Sequence, residues 1–407
     1  MTTTHGGVPR ATGTGNVERA AVVVIGGGIL GVAVADALAR AGTTDVVVLE
    51  RDDLAAGSSG KPLGGVRAVF SDPANVELAR RSLESYRALA RGEGHGPGRG
   101  RGPDVGLREV GYLFALRDAA DVERHAAGAG VQNALGVPTR LVDPAEAVRR
   151  CPYLDPTGLL AAVWSPDAGF ARPRAVVHAL ARRARAAGVR FRTGAEVVAV
   201  EEGPAGQARV RLSDNSAVLA PAVVCAAGAW SGALAALAGV DLPVVPRRRQ
   251  VAFAPPSPAR PHAVPFTIDQ SSTAYFHGSE DGGLLLGWAD PAEPAGFDRE
   301  VDTAWHTGLR AVLRRVAPAL ADVPLERGWA GLYEETPDRN ALIGEATGTP
   351  FRFLYATGFS GHGFLQAPAA AECVRDLLLG RTPALDVGAF SADRFAAPVR
   401  RTEVAIV

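Results

Sequence analysis

Near the start of the chain, apolar residues run continuously instead of alternating with polar ones. Residues 21–25 are an apolar, valine-rich run, glycines follow, and a segment rich in alanine, valine and leucine then continues to Arg40. A second apolar run covers 46–50 and ends in Glu50. Continuous β-branched runs are typical of parallel strands that are buried on both faces. The pattern predicts a strand–helix–strand unit that opens a parallel sheet covered by helices.

Further along, the pattern predicts two kinds of region. Periodic helical segments and short apolar strands continue the α/β pattern; the helices are expected over 75–91, 174–187 and about 368–379, and the strands over 189–192, 196–200, 208–212, 222–226 and 353–356. Residues 244–289 differ, since alternating segments are broken there by frequent glycine and proline. This second pattern is typical of an antiparallel sheet and indicates a separate substrate domain.

The predicted fold class is therefore α/β, with a discontinuous nucleotide-binding domain and an antiparallel substrate domain. We assign 19–90, 165–242 and 329–390 to the first domain, and 91–164 and 243–328 to the second. Residues 1–18 and 391–407 are expected to be terminal tails, the first of them flexible. The glycine- and arginine-rich residues 92–104 are expected to form a mobile surface loop.

Composition excludes several classes of function. The 43 basic and 43 acidic side chains leave a formal net charge of zero, so no overall field would attract nucleic acid or an anionic membrane. The eight histidines are scattered and have no metal-ligand spacing with cysteine, so no metal site is predicted. We expect no nucleic-acid partner and no membrane partner.

The expected location is the cytoplasm. The three cysteines, Cys151, Cys225 and Cys373, are far apart and are predicted to be buried thiols in a reducing compartment. The first 18 residues lack the apolar segment of a signal peptide. The apolar run 20–39 is as long as a membrane span but contains four glycines and Asp36, which favours the strand–turn–helix interpretation.

A glycine motif between the first strand and the first helix indicates dinucleotide binding. Gly26, Gly28 and Gly31 have the spacing G-x-G-x-x-G; they allow a tight turn, a close approach to a pyrophosphate, and close helix–strand packing, respectively. Amides at the start of the following helix would face the phosphates. Glu50 ends the second strand, where an acid receives ribose hydroxyls. The alternative is a merely tight strand–helix turn.

Several later segments resemble the D-amino acid oxidase superfamily, and within it the branch of sarcosine oxidases, dimethylglycine dehydrogenases and proline dehydrogenases. The resemblance extends from about residue 20 to residue 380. Aromatic hydroxylases, which share the glycine motif, end in a different sequence. The segments are AGSSG at 56–60, GGVR at 64–67, VVCAAGAWS at 223–231, GGLLLGWADP at 282–291, GLYEETPDRNALIGE at 331–345 and YATGFSGHGFLQAP at 355–368.

The resemblance implies a Rossmann-type, glutathione-reductase-like FAD-binding domain and a single non-covalent FAD. The residues that it places on FAD are Gly26, Gly28, Gly31, Glu50, Arg51, Ser58, Ser59, Val197, Ala227, Gly228, Trp230, Gly331, Gly361, His362, Gly363, Phe364 and Leu365. The candidate catalytic residues are Lys61, Arg67, Tyr275, Tyr333 and His362. For His362 the structural alternative is a packed histidine, and for Tyr275 it is cross-strand aromatic packing.

Three positions depart from the sarcosine oxidases. Gly331 stands where their cysteine binds flavin, so covalent attachment there is excluded. Arg67 matches the arginine that grips a substrate carboxylate, whereas Leu365 replaces the lysine of that clamp. Arg67 can bind a carboxylate alone or form a salt bridge within the fold. Leu285 replaces the lysine that assists the reaction with oxygen.

Lys61 is the single lysine of the chain, whose other basic residues are all arginine. Codon bias explains the arginines but not the position of this lysine. In relatives, the loop that contains it passes close to the flavin, and a compact ammonium group there would stabilise superoxide. The ordinary alternative is an unremarkable loop residue.

The expected function is hydride removal from the carbon beside an amine, giving an imine. The substrate would be a small amine or amino-acid-like molecule, with a larger or carrier-bound substrate as the alternative. Two alternatives remain: oxidation of a 2-hydroxy acid, which needs a base to take the hydroxyl proton, and a flavin-bearing electron-transfer subunit of a hetero-oligomer.

Overall fold

A computed structural model describes residues 16–93, 102–258, 264–396 and 401–403. Its strands are β1 (Val17–Arg19), β2 (Val22–Ile25), β3 (Val46–Leu49), β4 (Gly65–Val66), β5 (Tyr112–Leu116), β6 (Arg140–Val142), β7 (Ala161–Ser165), β8 (Gly169–Phe170), β9 (Arg190–Arg192), β10 (Val197–Glu202), β11 (Ala208–Leu212), β12 (Ala217–Ala220), β13 (Ala222–Cys225), β14 (Val245–Ala254), β15 (Phe266–Asp269), β16 (Ala274–Gly278), β17 (Leu284–Trp288), β18 (Glu326–Glu335), β19 (Leu342–Glu345) and β20 (Arg352–Thr357). Its helices are α1 (Ile29–Arg40), α2 (Pro73–Arg91), α3 (Ala119–Ala134), α4 (Pro144–Arg150), α5 (Pro173–Ala186), α6 (Ser231–Ala236), α7 (Trp305–Val316) and α8 (Gly363–Leu378).

A six-stranded sheet forms the centre of the nucleotide-binding half. Its order is β19-β20-β13-β2-β3-β9, and all pairs are parallel except that between β19 and β20. Alternate residues of each strand enter different cores. Val22 and Val24 pack with helices α1, α5 and α8, whereas Val23 and Ile25 pack against a four-stranded sheet of order β1-β12-β11-β10. Burial on both faces explains the uninterrupted apolar runs.

A second, eight-stranded sheet forms the other half, in the order β18-β14-β17-β16-β15-β5-β7-β6. It is antiparallel except for the parallel pair of β15 with β5. One face packs against Trp305 and Leu309 of α7. The other face presents Tyr112, Phe266 and Tyr275 in a separate cluster. The predicted fold class, a Rossmann-type α/β domain with a largely antiparallel sheet domain, is confirmed.

Strand β18 lies in the eight-stranded sheet, although our predicted boundary placed residues from 329 onward in the nucleotide-binding domain. Its ten residues pair with β14 from Val245 to Phe253. Strands β5, β6 and β7 of the same sheet were not predicted from the pattern. These pairings join segments far apart in sequence, and local patterns do not specify such partners.

Helix α8 begins at Gly363, five residues before the predicted start at Pro368. Proline lacks the N–H that would bond to the carbonyl four residues earlier, which belongs to Phe364. Here the Tyr86 hydroxyl donates to that Phe364 carbonyl instead. The lost helical hydrogen bond is thus replaced from α2, and the helix continues through the proline.

Both ends of the described chain are attached to the fold. Residues 17–19, of which 17 and 18 were expected in the flexible tail, form β1 and pair with β12. Near the other end, Glu403 is fully buried and accepts hydrogen bonds from the Ser71 amide (3.0 Å) and the Asn75 side chain (3.0 Å). This carboxylate ties residue 403 to the start of α2. Residues 1–15 and most of the predicted mobile loop, 94–101, lie outside the described residues.

All three cysteines are free and buried, as predicted. Burial raises the pKa of the Cys225 thiol to about 11, so this thiol is protonated at neutral pH. The run 20–39 is a strand, turn and helix. Within the described ranges, no helix combines the length and apolar character needed to cross a bilayer.

Candidate active site

A cavity of about 480 Å³ lies between the two sheets. Gly26 and Ala226, which follow the parallel strands β2 and β13, line one wall, and Arg249 and Tyr275 of the eight-stranded sheet line another. Ligands of open parallel sheets bind outside the carboxyl ends of the strands. The cavity therefore has the position expected for a nucleotide, and it extends onto the second sheet.

The cavity brings together nearly all the residues that the sequence selected. Gly31 is the exception. The residues that line it are Gly26, Gly28, Glu50, Arg51, Ser58, Ser59, Lys61, Arg67, Val197, Ala227, Gly228, Trp230, Tyr275, Gly331, Tyr333, Gly361, His362, Gly363, Phe364 and Leu365. Their individual roles stay predictions.

Gly31 acts through packing instead of lining the cavity. A Cβ at this position would lie 1.9 Å from the Gly26 carbonyl oxygen, closer than any real contact. Gly26 itself has φ of +117°, and a Cβ there would lie 2.3 Å from the Ala226 carbonyl oxygen. The two glycines therefore let α1 begin directly against the ends of β2 and β13.

Ser59 and Glu50 fix the backbone around the start of α1. The Ile29 amide donates to Ser59 Oγ at 2.8 Å, and the Gly27 amide donates to Glu50 Oε2 at 2.7 Å. Glu50 Oε1 also accepts from the Asp52 amide at 2.9 Å. The Glu50 carboxylate is thus held at the end of β3, facing the cavity, where an acid is expected.

The indole ring of Trp230 lies at the same end of the cavity as Arg51. The guanidinium carbons of Arg51 and Arg299 lie 4.9 and 5.5 Å from its ring centroid. Phe297, nearly half exposed, stacks on it with centroids 5.6 Å apart. The sequence predicts a role at the site for Trp230 and Arg51. It does not predict one for Arg299 and Phe297, because the segment that contains these two residues has no recognisable motif.

Arg67 is buried among aromatic rings at the other end of the cavity. Its guanidinium carbon lies 4.4 Å from the ring centroid of Phe70 and 5.2 Å from that of Phe114, and it donates to the Val69 carbonyl. Burial lowers the pKa of Arg67 from its usual value, and the nearby Tyr112 and Glu403 oppose this effect. Arginine remains charged even when buried, so this is a cation in a largely apolar setting.

His362 lies beside the same phenylalanine. Its ring meets Phe70 edge to face, with centroids 4.9 Å apart. Burial holds the pKa of His362 well below its usual range, and the positive charges of Arg67 and Arg339 lower it further. The imidazole is therefore neutral at physiological pH and is a weak base.

Three tyrosines complete this end of the cavity; Tyr112 and Tyr275 are buried, and Tyr333 is partly exposed. Burial raises the pKa of Tyr112, Tyr275 and Tyr333, so all three phenols are protonated at neutral pH. Glycines leave space for two of the rings. A Cβ on Gly287 would lie 2.1 Å from the Tyr275 ring, and one on Gly361 would lie 2.6 Å from the Tyr333 ring.

Lys61 packs against Gly331. A Cβ at Gly331 would lie 2.8 Å from the Cβ of Lys61, so the lysine stem takes the space of a side chain at 331. The Lys61 carbonyl accepts a hydrogen bond from the Trp329 indole. Among the described residues, Lys61 forms no ion pair. Leu285, at the position of the oxygen-activating lysine in relatives, is not among the cavity residues.

Four charged residues that line the cavity were not predicted from the sequence: Asp52, Glu196, Arg249 and Glu334. Glu334 is partly buried and accepts from the Thr357 hydroxyl at 2.8 Å; loss of solvation raises the pKa of its carboxyl group. Glu334 directly follows Tyr333, so its place in a recognised motif could have revealed it. Arg249 pairs in register with Gly331, and only this strand pairing places it at the site.

The chain is similar to known proteins in both sequence and fold. The model of a family of FAD-dependent oxidoreductases (DAO) matches residues 21–377. FAD-dependent oxidoreductase domain-containing protein 1 of Xenopus laevis is 30% identical over 94% of this chain and 84% of that protein. The 4-methylaminobutanoate oxidase (formaldehyde-forming) of Paenarthrobacter nicotinovorans is 29% identical over 92% of this chain and 45% of that protein. The crystal structure of L-proline dehydrogenase from P. horikoshii has a TM-score of 0.84 and 31% identity, over 93% of this chain and 98% of that chain.

The cavity residues fit FAD, the cofactor of this family. Helices α1 and α8, of 12 and 16 residues, begin at the cavity. In neither helix does the side chain of the N-cap residue accept a hydrogen bond from an amide of the first turn. Their positive ends favour the negative charge of a pyrophosphate or of a reduced flavin. Gly26, Gly28 and Glu50 would hold the nucleotide part, and residues 361–365 the flavin ring.

We predict that FAD is held without a covalent bond. Gly331 has no side chain to attach it, and none of the three cysteines is among the described residues that line the cavity. Acid precipitation of the yellow holoenzyme should therefore leave the flavin in the supernatant, with the absorbance spectrum of free FAD. Flavin fluorescence that stays with the protein band on a denaturing gel would contradict this prediction.

Proposed function

The chain belongs to the family of FAD-dependent oxidoreductases, and from that premise we propose that it oxidises a carbon–nitrogen bond of an amino-acid-like amine to an imine. The observation that supports this most directly is the Arg67 cation, which is buried among aromatic rings and lines the cavity. A buried guanidinium binds a carboxylate through two charge-assisted hydrogen bonds. Two of the relatives above are named for amine substrates, 4-methylaminobutanoate and L-proline.

The weak basicity of His362 favours an amine over a 2-hydroxy acid. Oxidation of an alcohol requires a base that takes the hydroxyl proton. A histidine whose pKa lies well below its usual range is poorly suited to that task. A neutral amine needs no such base, because its lone pair supports the positive charge that develops on the neighbouring carbon.

In this proposal, FAD supplies the electron acceptor for the hydride. Arg67 orients the substrate through its anionic group, and the phenols of Tyr275 and Tyr333 form the wall around the reacting carbon. Arg67 and Tyr275 are buried, and the wall that they form with Tyr333 would limit the access of water to the imine as it forms. The role of the protein is thus orientation and exclusion of water, followed by release and hydrolysis of the imine.

An anaerobic substrate screen tests the proposal. Oxidised flavin absorbs at about 450 nm, and this band is lost when a substrate reduces it. We expect a secondary amine or amino acid with a carboxylate to bleach the band. Bleaching by 2-hydroxy acids alone would favour the first alternative. If neither class bleaches it while dithionite does, the electron-transfer alternative would be favoured.

Replacement of Arg67 should weaken substrate binding. A charge-assisted pair contributes about 1.5–3 kcal/mol, so Arg67→Ala should raise KM roughly ten- to a hundredfold while FAD stays bound. Arg117→Ala is a matched control, because Arg117 pairs with the buried Asp269 at 2.7 Å and is not among the cavity residues. An unchanged KM for the best substrate in Arg67→Ala would contradict the proposed role.

The reaction of the reduced enzyme with oxygen should depend on Lys61. With Leu285 outside the cavity lining, Lys61 is the lysine available at the site, and a compact ammonium stabilises superoxide by its charge. We expect modest oxidase activity that is lost in Lys61→Met. Stopped-flow reoxidation by O₂ measures this, with Lys61→Arg as a variant that retains the charge.

Two outcomes would contradict this role of Lys61. Fast reoxidation that is the same in wild type and Lys61→Met would remove Lys61 from oxygen activation. Wild-type reoxidation no faster than that of free reduced flavin would make the protein a dehydrogenase with another electron acceptor.

A further inference from the structure

The side chain of Arg249 has a hydrogen-bond donor without a partner in the part of the chain that the structure describes. This residue lies on β14 and lines the cavity with only 13% of its side chain exposed. Its Nη1 donates to the Arg248 carbonyl at 2.9 Å and its Nη2 to Glu335 Oε1 at 2.8 Å. Its Nε–H is buried and has no hydrogen-bond partner among the described residues. A buried donor without a partner costs free energy, which a ligand that accepts from it would recover.

Arg249 shares its carboxylate partner with a second arginine. Glu335 is shared between Arg249 and Arg247, each 2.8 Å away. Arg248 between them uses other carboxylates, Glu293 and Asp298. One carboxylate therefore faces two guanidinium groups on the same strand. The three arginines at 247–249 are matched by three carboxylates, so the network carries no net charge, but Arg249 only shares its carboxylate and is the member that lines the cavity. An anion in the cavity would complete the pairing of this guanidinium.

Arg249 and Arg67 approach the same phenol. The guanidinium carbon of Arg249 lies 5.1 Å from the ring centroid of Tyr333. Burial raises the pKa of Tyr333, while the charges of Arg249 and Arg67 both oppose that rise. The two cations thus lie near one tyrosine in one cavity, although they come from β14 and from the loop that precedes α2.

We propose that Arg249 binds a second anionic group of the substrate, so that the enzyme acts on an amine that carries two carboxylates. In such a substrate, one carboxylate binds Arg67 and the other accepts from the Arg249 Nε–H. Secondary amines of amino dicarboxylic acids have this chemistry. The identity of the reaction rests on the proposed function above, whereas the recognition of two anionic groups does not.

Arg247 is a matched control within the same ion-pair network. It is on the same strand, pairs with the same carboxylate at the same distance, and is not among the residues that line the cavity. A purely structural role of the Glu335 pairs predicts similar effects of Arg247→Gln and Arg249→Gln. A substrate contact predicts an effect specific to Arg249.

The kinetic experiment compares sarcosine, which has one carboxylate, with N-methylaspartate and iminodiacetate, which have two. Arg249→Gln should lower kcat/KM for the dicarboxylates about ten- to a hundredfold and for sarcosine less than about threefold. Arg247→Gln should preserve the preference of the wild type for dicarboxylates. Arg249→Lys keeps the charge, removes the Nε–H and should give an intermediate loss.

A binding experiment with unreactive acids keeps the proposal testable even when no amine is oxidised. Glutarate has one carbon atom and one carboxylate more than butyrate. The binding of each acid to the holoenzyme is measured through the change in flavin absorbance. We expect glutarate to bind at least about tenfold more tightly than butyrate, and this margin to disappear in Arg249→Gln. Equal affinities in the wild type, or the same margin in Arg249→Gln, would overturn the proposal.

Discussion

The site depends on a close backbone approach that admits no side chain. Gly31 of α1 lies against the carbonyl oxygen of Gly26, and Gly26 lies against that of Ala226. Any Cβ at Gly31 would push α1 away from the end of β2. The start of this helix would then no longer face the cavity, and the amides that Ser59 and Glu50 now fix would move with it. The nucleotide end of the cavity therefore follows from two positions that contribute no chemistry of their own.

At the opposite end of the cavity, burial determines the protonation states of the side chains. Tyr112, Tyr275 and Tyr333 stay protonated because their burial disfavours the phenolate, and His362 stays neutral for the same reason. In these surroundings, the few full charges have large effects. Arg67 and Arg249 place two guanidinium groups in the cavity, and the proposed preference for anionic substrates rests on them.

The side chain of Lys61 fits only because residue 331 is a glycine. The lysine stem occupies the volume that a side chain at 331 would need, so the two residues are compatible only as this pair or after the loop shifts. The absence of a side chain for covalent attachment and the presence of a lysine in the cavity are thus linked features. In the same part of the fold, the buried Glu403 fixes the start of α2, next to the loop that contains Arg67.

The sequence by itself determined the elements whose residues are neighbours along the chain. The valine runs, the glycine motif and Glu50 predicted the nucleotide-binding unit, because periodicity and turn chemistry are local properties. The resemblance to a known family selected further cavity residues between Arg51 and Leu365, among them Trp230 and Tyr333. It also selected Gly31, whose contact with Gly26 is one of packing.

Other features were decided only by the tertiary structure. Arg249 reaches the site because β14 pairs with β18 in one register, and a shift of one residue would turn its side chain to the other face. Helix α8 continues through Pro368 because Tyr86 donates to the Phe364 carbonyl, which the proline leaves free and which lies 278 positions later in the sequence. Likewise, Glu403 is buried only because residues distant in sequence supply its donors. Each of these features depends on contacts between residues far apart in the chain, and the local sequence does not specify them.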